Sequence, residues 1–302
     1  MKKAVGIDIG GTNTRISFIT EKGHVLKQAI FKTPNSKSPE KTIYEIFLKV
    51  KNLKILSPSI PVGLAVPALV DPQSGIVKLA PNLNWRNFNL KETLLKKFKL
   101  KKIVFENDAN CAAWAIYKKQ KDKIKNLCVV TLGTGVGGGY IHNGKLLQKQ
   151  GTSIFEIGHI KIDPDGPKCG CGGRGCLETF CGARHMNRWA KKFWKKTSFK
   201  NKNLTPLEIE IQARRGKIWA RKVWQEYGKY LGLGLSNVIN LLAPQKIALT
   251  GGISAAYPLF KKDLIESIFE NALPQYTQNL KIEKIKWNRF TGSIGAGLLA
   301  LH

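Results

Sequence analysis

Two stretches of this chain repeat one pattern of apolar and glycine positions. The first runs Ala4-Val5-Gly6-Ile7-Asp8-Ile9, then Gly10-Gly11-Thr12, then Arg15-Ile16-Ser17-Phe18-Ile19, a turn at Lys22-Gly23, and His24-Val25-Leu26. The second runs Leu127-Cys128-Val129-Val130-Thr131-Leu132, then Gly133-Thr134-Gly135, then Gly138-Gly139-Tyr140-Ile141, a turn at Asn143-Gly144, and Lys145-Leu146-Leu147. Each predicts a β-meander: a buried strand, a glycine turn, a returning strand, a Gly-marked hairpin and a third strand. One such unit opens each half of the chain, so a duplicated, two-lobe protein is expected.

After each meander the spacing of apolar residues lengthens to that of helices. Pro39 to Val50 carries Ile43, Ile46, Phe47 and Val50 at helical spacing. Short strands are predicted at Val62 to Val66, Ile103 to Phe105 and Lys246 to Leu249, with helices over Ala109 to Tyr117 and Ile218 to Leu242. A final Ala/Gly/Leu helix, Ser293 to Leu301, is expected to pack back on the first lobe. Alternation of this kind defines an α/β class. Polarity and charge place the lobe boundary between Tyr117 and Lys125. This gives a small lobe over 1–117, joined by 291–302, and a large lobe over 118–290.

Chemistry is concentrated at the ends of these elements. Cys169-Gly170-Cys171 and Gly175-Cys176 crowd three thiols into eight residues, with His159 ten residues upstream. Three thiolates and an imidazole form a closed tetrahedral set, which suits a structural zinc ion, and the glycines allow the tight turns of such a knuckle. The backbone N–H groups of Asp8-Ile9-Gly10-Gly11-Thr12-Asn13 suit phosphate oxygens, and the carboxylate suits Mg²⁺; a plain hairpin turn has the same pattern. Gly133-Thr134-Gly135-Val136-Gly137-Gly138-Gly139 is the matching turn, where so many glycines point to close approach by a ligand. Asp108, between a strand and a helix, suits either a helix cap or a base that takes the proton of an attacking hydroxyl. Glu156 and Glu178 bracket the knuckle, as surface carboxylates or as a pair for vicinal hydroxyls. Thr250-Gly251-Gly252 ends a strand as a platform for the adenosine end of a nucleotide.

The 302 residues hold 43% hydrophobic residues and suffice for two cored lobes. No apolar run reaches the roughly 18 residues of a membrane span, and no secretory leader is evident, so a cytoplasmic protein without a membrane partner is expected. Net charge is +30, mostly lysine dispersed in pairs such as Lys96-Lys97 and Lys261-Lys262, with one dense stretch from Lys191 to Lys202 around Phe193, Trp194 and Phe199. Dispersed lysine reads as a solvated surface, and nucleic acid is not the expected partner. Cys111 and Cys128 lie in apolar surroundings and read as inert core thiols.

In order along the chain, six segments together resemble the ROK family of sugar kinases and repressors, within the actin, hexokinase and Hsp70 fold. They are Asp8 to Arg15, Glu106 to Ala113, Leu132 to Gly139, Glu156 to His159, Cys169 to Glu178 and Leu249 to Ser254. The resemblance implies a two-lobe actin-like ATPase (ribonuclease H-like) fold with a zinc knuckle, and phosphorylation of a hexose, glucose first, by Mg-ATP. It makes Asp108 the catalytic base and Asn82, Asn107, Asp108, Glu156, His159 and Glu178 the sugar contacts. Asp8, Gly10, Gly11, Thr12, Asn13, Gly133, Thr134, Gly135, Gly251 and Gly252 would hold the nucleotide, and His159, Cys169, Cys171 and Cys176 the zinc. Homodimers or homotetramers are implied as well. Family repressors carry a DNA-binding module before the first glycine motif. Here that motif starts at Asp8, so no such module is expected. Pro67-Ala68 stands where relatives have Pro-Gly, on the expected wall of the sugar pocket, which leaves fructose, mannose, allose and N-acetylhexosamines as other substrates.

Overall fold

The computed structural model describes residues 1–302 except 37, 81–82, 121–123, 150–153, 195–202 and 287. Asn82 and most of the basic stretch after Trp194 therefore lie outside the described residues. The first part of the chain forms β1 (Lys3–Ile9), β2 (Asn13–Thr20), β3 (Val25–Lys32), α1 (Pro39–Asn52), β4 (Val62–Val66), β5 (Leu69–Val70), β6 (Ile76–Ala80), β7 (Trp85–Asn89), α2 (Leu90–Phe98), β8 (Ile103–Asn107) and α3 (Asp108–Lys118). There follow β9 (Leu127–Leu132), β10 (Val136–His142), β11 (Lys145–Leu146), α4 (Glu178–Cys181), α5 (Ala183–Phe193), α6 (Pro206–Arg214), α7 (Ile218–Leu242), β12 (Lys246–Thr250), α8 (Tyr257–Asn271), α9 (Pro274–Thr277), β13 (Lys281–Lys284) and α10 (Thr291–Ala300).

Two compact units emerge: Met1–Lys123 with Gly139–Phe155 and Asn288–His302, and Ile124–Gly138 with Glu156–Trp287. Residues 139–155 cluster with the first unit, whereas the division expected from the sequence leaves them in the second lobe.

In the first unit the sheet order is β3-β2-β1-β4-β8. β1 and β4 are parallel and almost wholly buried, as strands covered on both faces must be. One face takes α1, whose Ile43, Ile46, Phe47 and Val50 enter the core. Ser38 starts that helix by accepting from the Lys41 N–H, and Pro39 supplies a preset φ in its first turn. The other face takes α10, so closely that a Cβ on Gly6 would lie 1.7 Å from the Ser293 carbonyl oxygen. Gly295 of α10 meets α3 in the same way, at the Cys111 carbonyl. Ser17 and Ser293 share a buried hydrogen bond of 2.8 Å.

The second five-stranded sheet is ordered β11-β10-β9-β12-β13, the same sequence of third, second, first, fourth and fifth strand as in the first. The boundary between units falls within β10, after Gly138. In the second unit β12 runs parallel to both β9 and β13. Gly232 of α7 admits α8, since a Cβ there would sit 2.6 Å from the Ser267 Cβ. The duplicated meander thus extends to a duplicated sheet topology.

Candidate active site and metal centre

In the first unit the buried strand β1 ends in a turn closed by the Gly10 N–H donating to the Asn13 carbonyl at 3.1 Å. Thr33, just past β3, steadies that turn: its hydroxyl donates to the Gly10 carbonyl at 2.6 Å and its N–H to the Thr12 carbonyl at 2.9 Å. Gly11 and Thr12 remain exposed. Asp8 pairs across the β1–β2 ladder with Arg15, at 3.6 Å, and its side chain is only 14% exposed. Burial pushes its carboxyl up to about 7, the nearby Asp108 charge adds to that, and Arg15 opposes it. The first turn of α10 also lies here, with Gly292 against the Asp8 carboxylate.

Asp108 is the first residue of α3, and Asn107 is the cap: its side-chain oxygen accepts from the N–H groups of Ala109, at 2.9 Å, and Asn110, at 3.4 Å. The capping task that Asp108 suited on sequence is thus filled by its neighbour. Asn107 also donates to the Ala68 carbonyl at 3.4 Å, so the Pro67-Ala68 departure touches a residue assigned to the sugar. One Asp108 oxygen accepts from the Ala109 N–H at 2.9 Å.

In the second unit the glycine turn is shorter than its sequence suggested. Val136 onward is already strand, and only Gly133–Gly135 turns. Gly139, in the first unit, answers to helix packing: a Cβ there would lie 2.6 Å from the Ala113 Cβ. The start of α5 braces the turn, with the Ala183 N–H donating to the Gly133 carbonyl at 3.0 Å. Glu178 braces it too, accepting from the Val136 N–H at 3.0 Å. Gly251, at φ 95°, brings the end of β12 against Leu132, where a Cβ would strike the carbonyl oxygen at 2.3 Å. Gly133, Thr134, Gly135, Glu178 and Gly251 therefore meet in one place, with the exposed Gly252 beside them.

Glu156 is exposed and precedes a short 3-10 turn, Ile157–His159. His159, Cys169, Cys171 and Cys176 present ligand atoms that all lie within 4.8 Å of one another. Cys171 and Cys176 sulfurs are 3.6 Å apart, as are the Cys169 sulfur and His159 Nδ1. Zinc–sulfur bonds of about 2.3 Å place tetrahedral sulfurs about 3.8 Å apart, so the set fits zinc. The Lys161 ammonium donates to the Cys176 sulfur at 2.7 Å. Backbone ladders fold the knuckle: Cys169 N–H donates to Gly173 at 2.8 Å, and Gly175, at φ 62°, packs on Asp163.

Several residues escaped sequence reasoning. Arg15 lies inside the first motif, and its place opposite Asp8 follows from hairpin register alone. Lys161, two residues past His159, carried a signal only in its proximity to the cluster. Glu106 and Gln148 carried none, since 42 residues separate them.

The family model ROK matches residues 4–302, and the chain belongs to the ROK family. It is 34% identical over 266 residues to a glucokinase of Streptomyces coelicolor, covering 84% of this chain and 83% of the relative. A xylose repressor of Bacillus spizizenii is 29% identical, covering 90% of this chain and 70% of the repressor. Among solved structures, a ROK glucokinase from Streptomyces griseus in complex with glucose and AMPPNP superposes with a TM-score of 0.83 at 28% identity, covering 99% of both chains. The fold is accordingly the mixed α/β, actin-like ATPase fold of the ROK sugar kinases. Among the described residues no helix is long and apolar enough to cross a membrane.

Proposed function

We propose that this chain is an ATP-dependent hexose kinase acting on glucose, with Asp108 as its general base. The observation that carries the reading is the β8–α3 turn, where Asn107 caps the helix and Asp108 stands at its first position, its charge felt at Asp8. The relatives named glucokinase supply the reaction class.

Asn107, Asp108, Glu156, His159 and Glu178 take hydroxyls of the sugar. Asp108 accepts the proton of the attacking hydroxyl as its oxygen bonds to the γ-phosphorus of ATP; the bond to the bridging oxygen breaks, and ADP leaves with that electron pair. The turns at Gly10 to Asn13 and Gly133 to Gly135 hold phosphate oxygens, through N–H groups other than those of Gly10 and Gly133, which close the turns, and Gly251-Gly252 hold the adenosine end. Mg²⁺, when bound, neutralises charge on the phosphates. Asp8 would hold it directly or through water, and a nearly buried carboxylate that feels the Asp108 charge suits a divalent cation. Zinc on His159 and the three cysteines is structural, since four protein ligands leave no open position.

The test is ADP release with Mg-ATP across hexoses and N-acetylhexosamines. Turnover concentrated on glucose is expected. Preference for fructose, mannose, allose or an N-acetylhexosamine keeps the mechanism and replaces the substrate. No turnover with any sugar favours a sugar-responsive regulator of the kind the xylose repressor exemplifies.

A further inference from the structure

Two residues before the proposed base stands a carboxylate that the mechanism above does not use. Glu106 is the next-to-last residue of β8, and only 1% of it is exposed. Burying a carboxylate is costly unless donors surround it, and here three converge. One oxygen accepts from the Asn107 N–H at 2.8 Å and from the Asn110 side-chain amide at 3.0 Å. The other accepts from the side-chain amide of Gln148, beyond β11.

These bonds lock the segment that carries Asp108 from both sides. Asn107 is held at its N–H by Glu106 while its side chain caps α3. Asn110, 1% exposed, lies in the first turn of α3 and returns its side chain to Glu106. Gly139 of β10 closes over this pair: a Cβ there would stand 2.8 Å from the Asn110 side-chain oxygen, so Glu106 and Asn110 meet in a packed interior. Gln148, two residues past β11, ties the β10–β11 hairpin to this network.

We propose that Glu106 is a positioning residue for Asp108: its buried carboxylate clamps the strand-to-helix turn and ties the Gln148 segment to it. The inference rests on the kinase reading. It makes no contact between Glu106 and the sugar or the nucleotide; the effect passes through Asn107, Asn110 and Gln148. A misplaced base raises the barrier of the chemical step more than it weakens binding, because a general base acts only within hydrogen-bond reach.

Glu106→Gln and Glu106→Ala separate the clamp from the charge. In Glu106→Gln the amide oxygen still accepts from Asn107 and Asn110, and Gln148 can turn its own amide to accept from the new NH₂. Activity there is expected within about threefold of wild type. Glu106→Ala is expected to lower kcat by about tenfold or more, with the KM for sugar changed less than about threefold. Gln148→Ala, at an exposed position that leaves folding intact, should lower kcat by about two- to fivefold in the same kcat-only manner.

Circular dichroism melts confirm that each variant is folded at the assay temperature, and Gln148→Ala stands in if Glu106→Ala is not. Wild-type kcat in a folded Glu106→Ala, or a loss in KM alone, overturns the positioning role. So does wild-type kcat in Gln148→Ala where Glu106→Ala does not fold. No turnover by the wild-type protein with any sugar is a different failure, which removes the kinase reading and this inference with it.

Discussion

The two glycine turns share a backbone and differ in everything attached to it. Both follow the first strand of a meander in sheets of the same order, and both close by a short N–H to carbonyl bond, Gly10 to Asn13 and Gly133 to Gly135. In the repeat, however, Asp8 of the first corresponds to Thr131 of the second. The first turn thus has its carboxylate built into its own strand, with Arg15 opposite and Asp108 nearby. The second borrows one from outside, Glu178, presented by the helix that follows the cysteine knuckle. Duplication reproduced a shape that depends on hydrogen bonding and glycine. The chemistry then diverged, toward charge in the first unit and toward a braced scaffold in the second.

That division can be broken most sharply at Asp108. Asp108→Ala should lower kcat by about 10²- to 10⁴-fold while sugar binding and zinc content persist; full activity in a folded variant would remove the proposed base. The scaffold side is tested by Cys171→Ser. Zinc should fall in elemental analysis, and stability should drop on the order of several kcal/mol as the loops bearing Glu156 and Glu178 loosen. Unchanged metal content refutes the ligand set.

Asp8→Asn sharpens the charge side, through pH. Asp8 sits at about 7 in the folded chain against an ordinary 3.8. A carboxyl raised by folding costs stability as pH climbs from the unfolded value to the folded one, here from about 4 to about 7, and the cost stays constant above. Asp8→Asn should therefore match wild type in stability near pH 4 and exceed it at pH 8, while losing most activity with Mg-ATP. A stability difference that shrinks as pH rises would contradict this sign. Melting curves across that range, without nucleotide, measure it directly.

The smallest effect is expected at Gly133, where nothing lies within 4 Å of an added Cβ. Gly133→Ala should leave stability within about 0.5 kcal/mol of wild type and raise the KM for ATP several-fold. An unchanged KM would take Gly133 out of the phosphate cradle. Gly135 offers the contrast, because an added Cβ there would land 2.0 Å from the Glu178 carboxylate.

Much of this molecule was legible in residue order, and the readable parts share a physical cause. The meanders were visible because strand, glycine turn and strand are neighbours in sequence. The His/Cys₃ cluster was visible because Cys169, Cys171 and Cys176 fall within eight residues and His159 lies only ten before Cys169. The helices of Pro39–Asn52 and Ile218–Leu242 announced themselves by the spacing of their buried faces. The extent of the second turn misled, since glycines in Val136–His142 serve a strand and its helix contact rather than a loop.

By itself, then, the sequence determined the duplicated α/β architecture, the family, and the residue types able to do the chemistry, because each rests on local backbone demands or on ligands close in the chain. Only the tertiary structure decided which distant groups meet. It gave the helix cap to Asn107 rather than Asp108, set Glu178 under the second turn 42 residues away, laid the first turn of α10 against Asp8, and closed Glu106 with Gln148. Those pairings follow from how sheets and helices pack, and packing joins residues that no spacing along the chain connects.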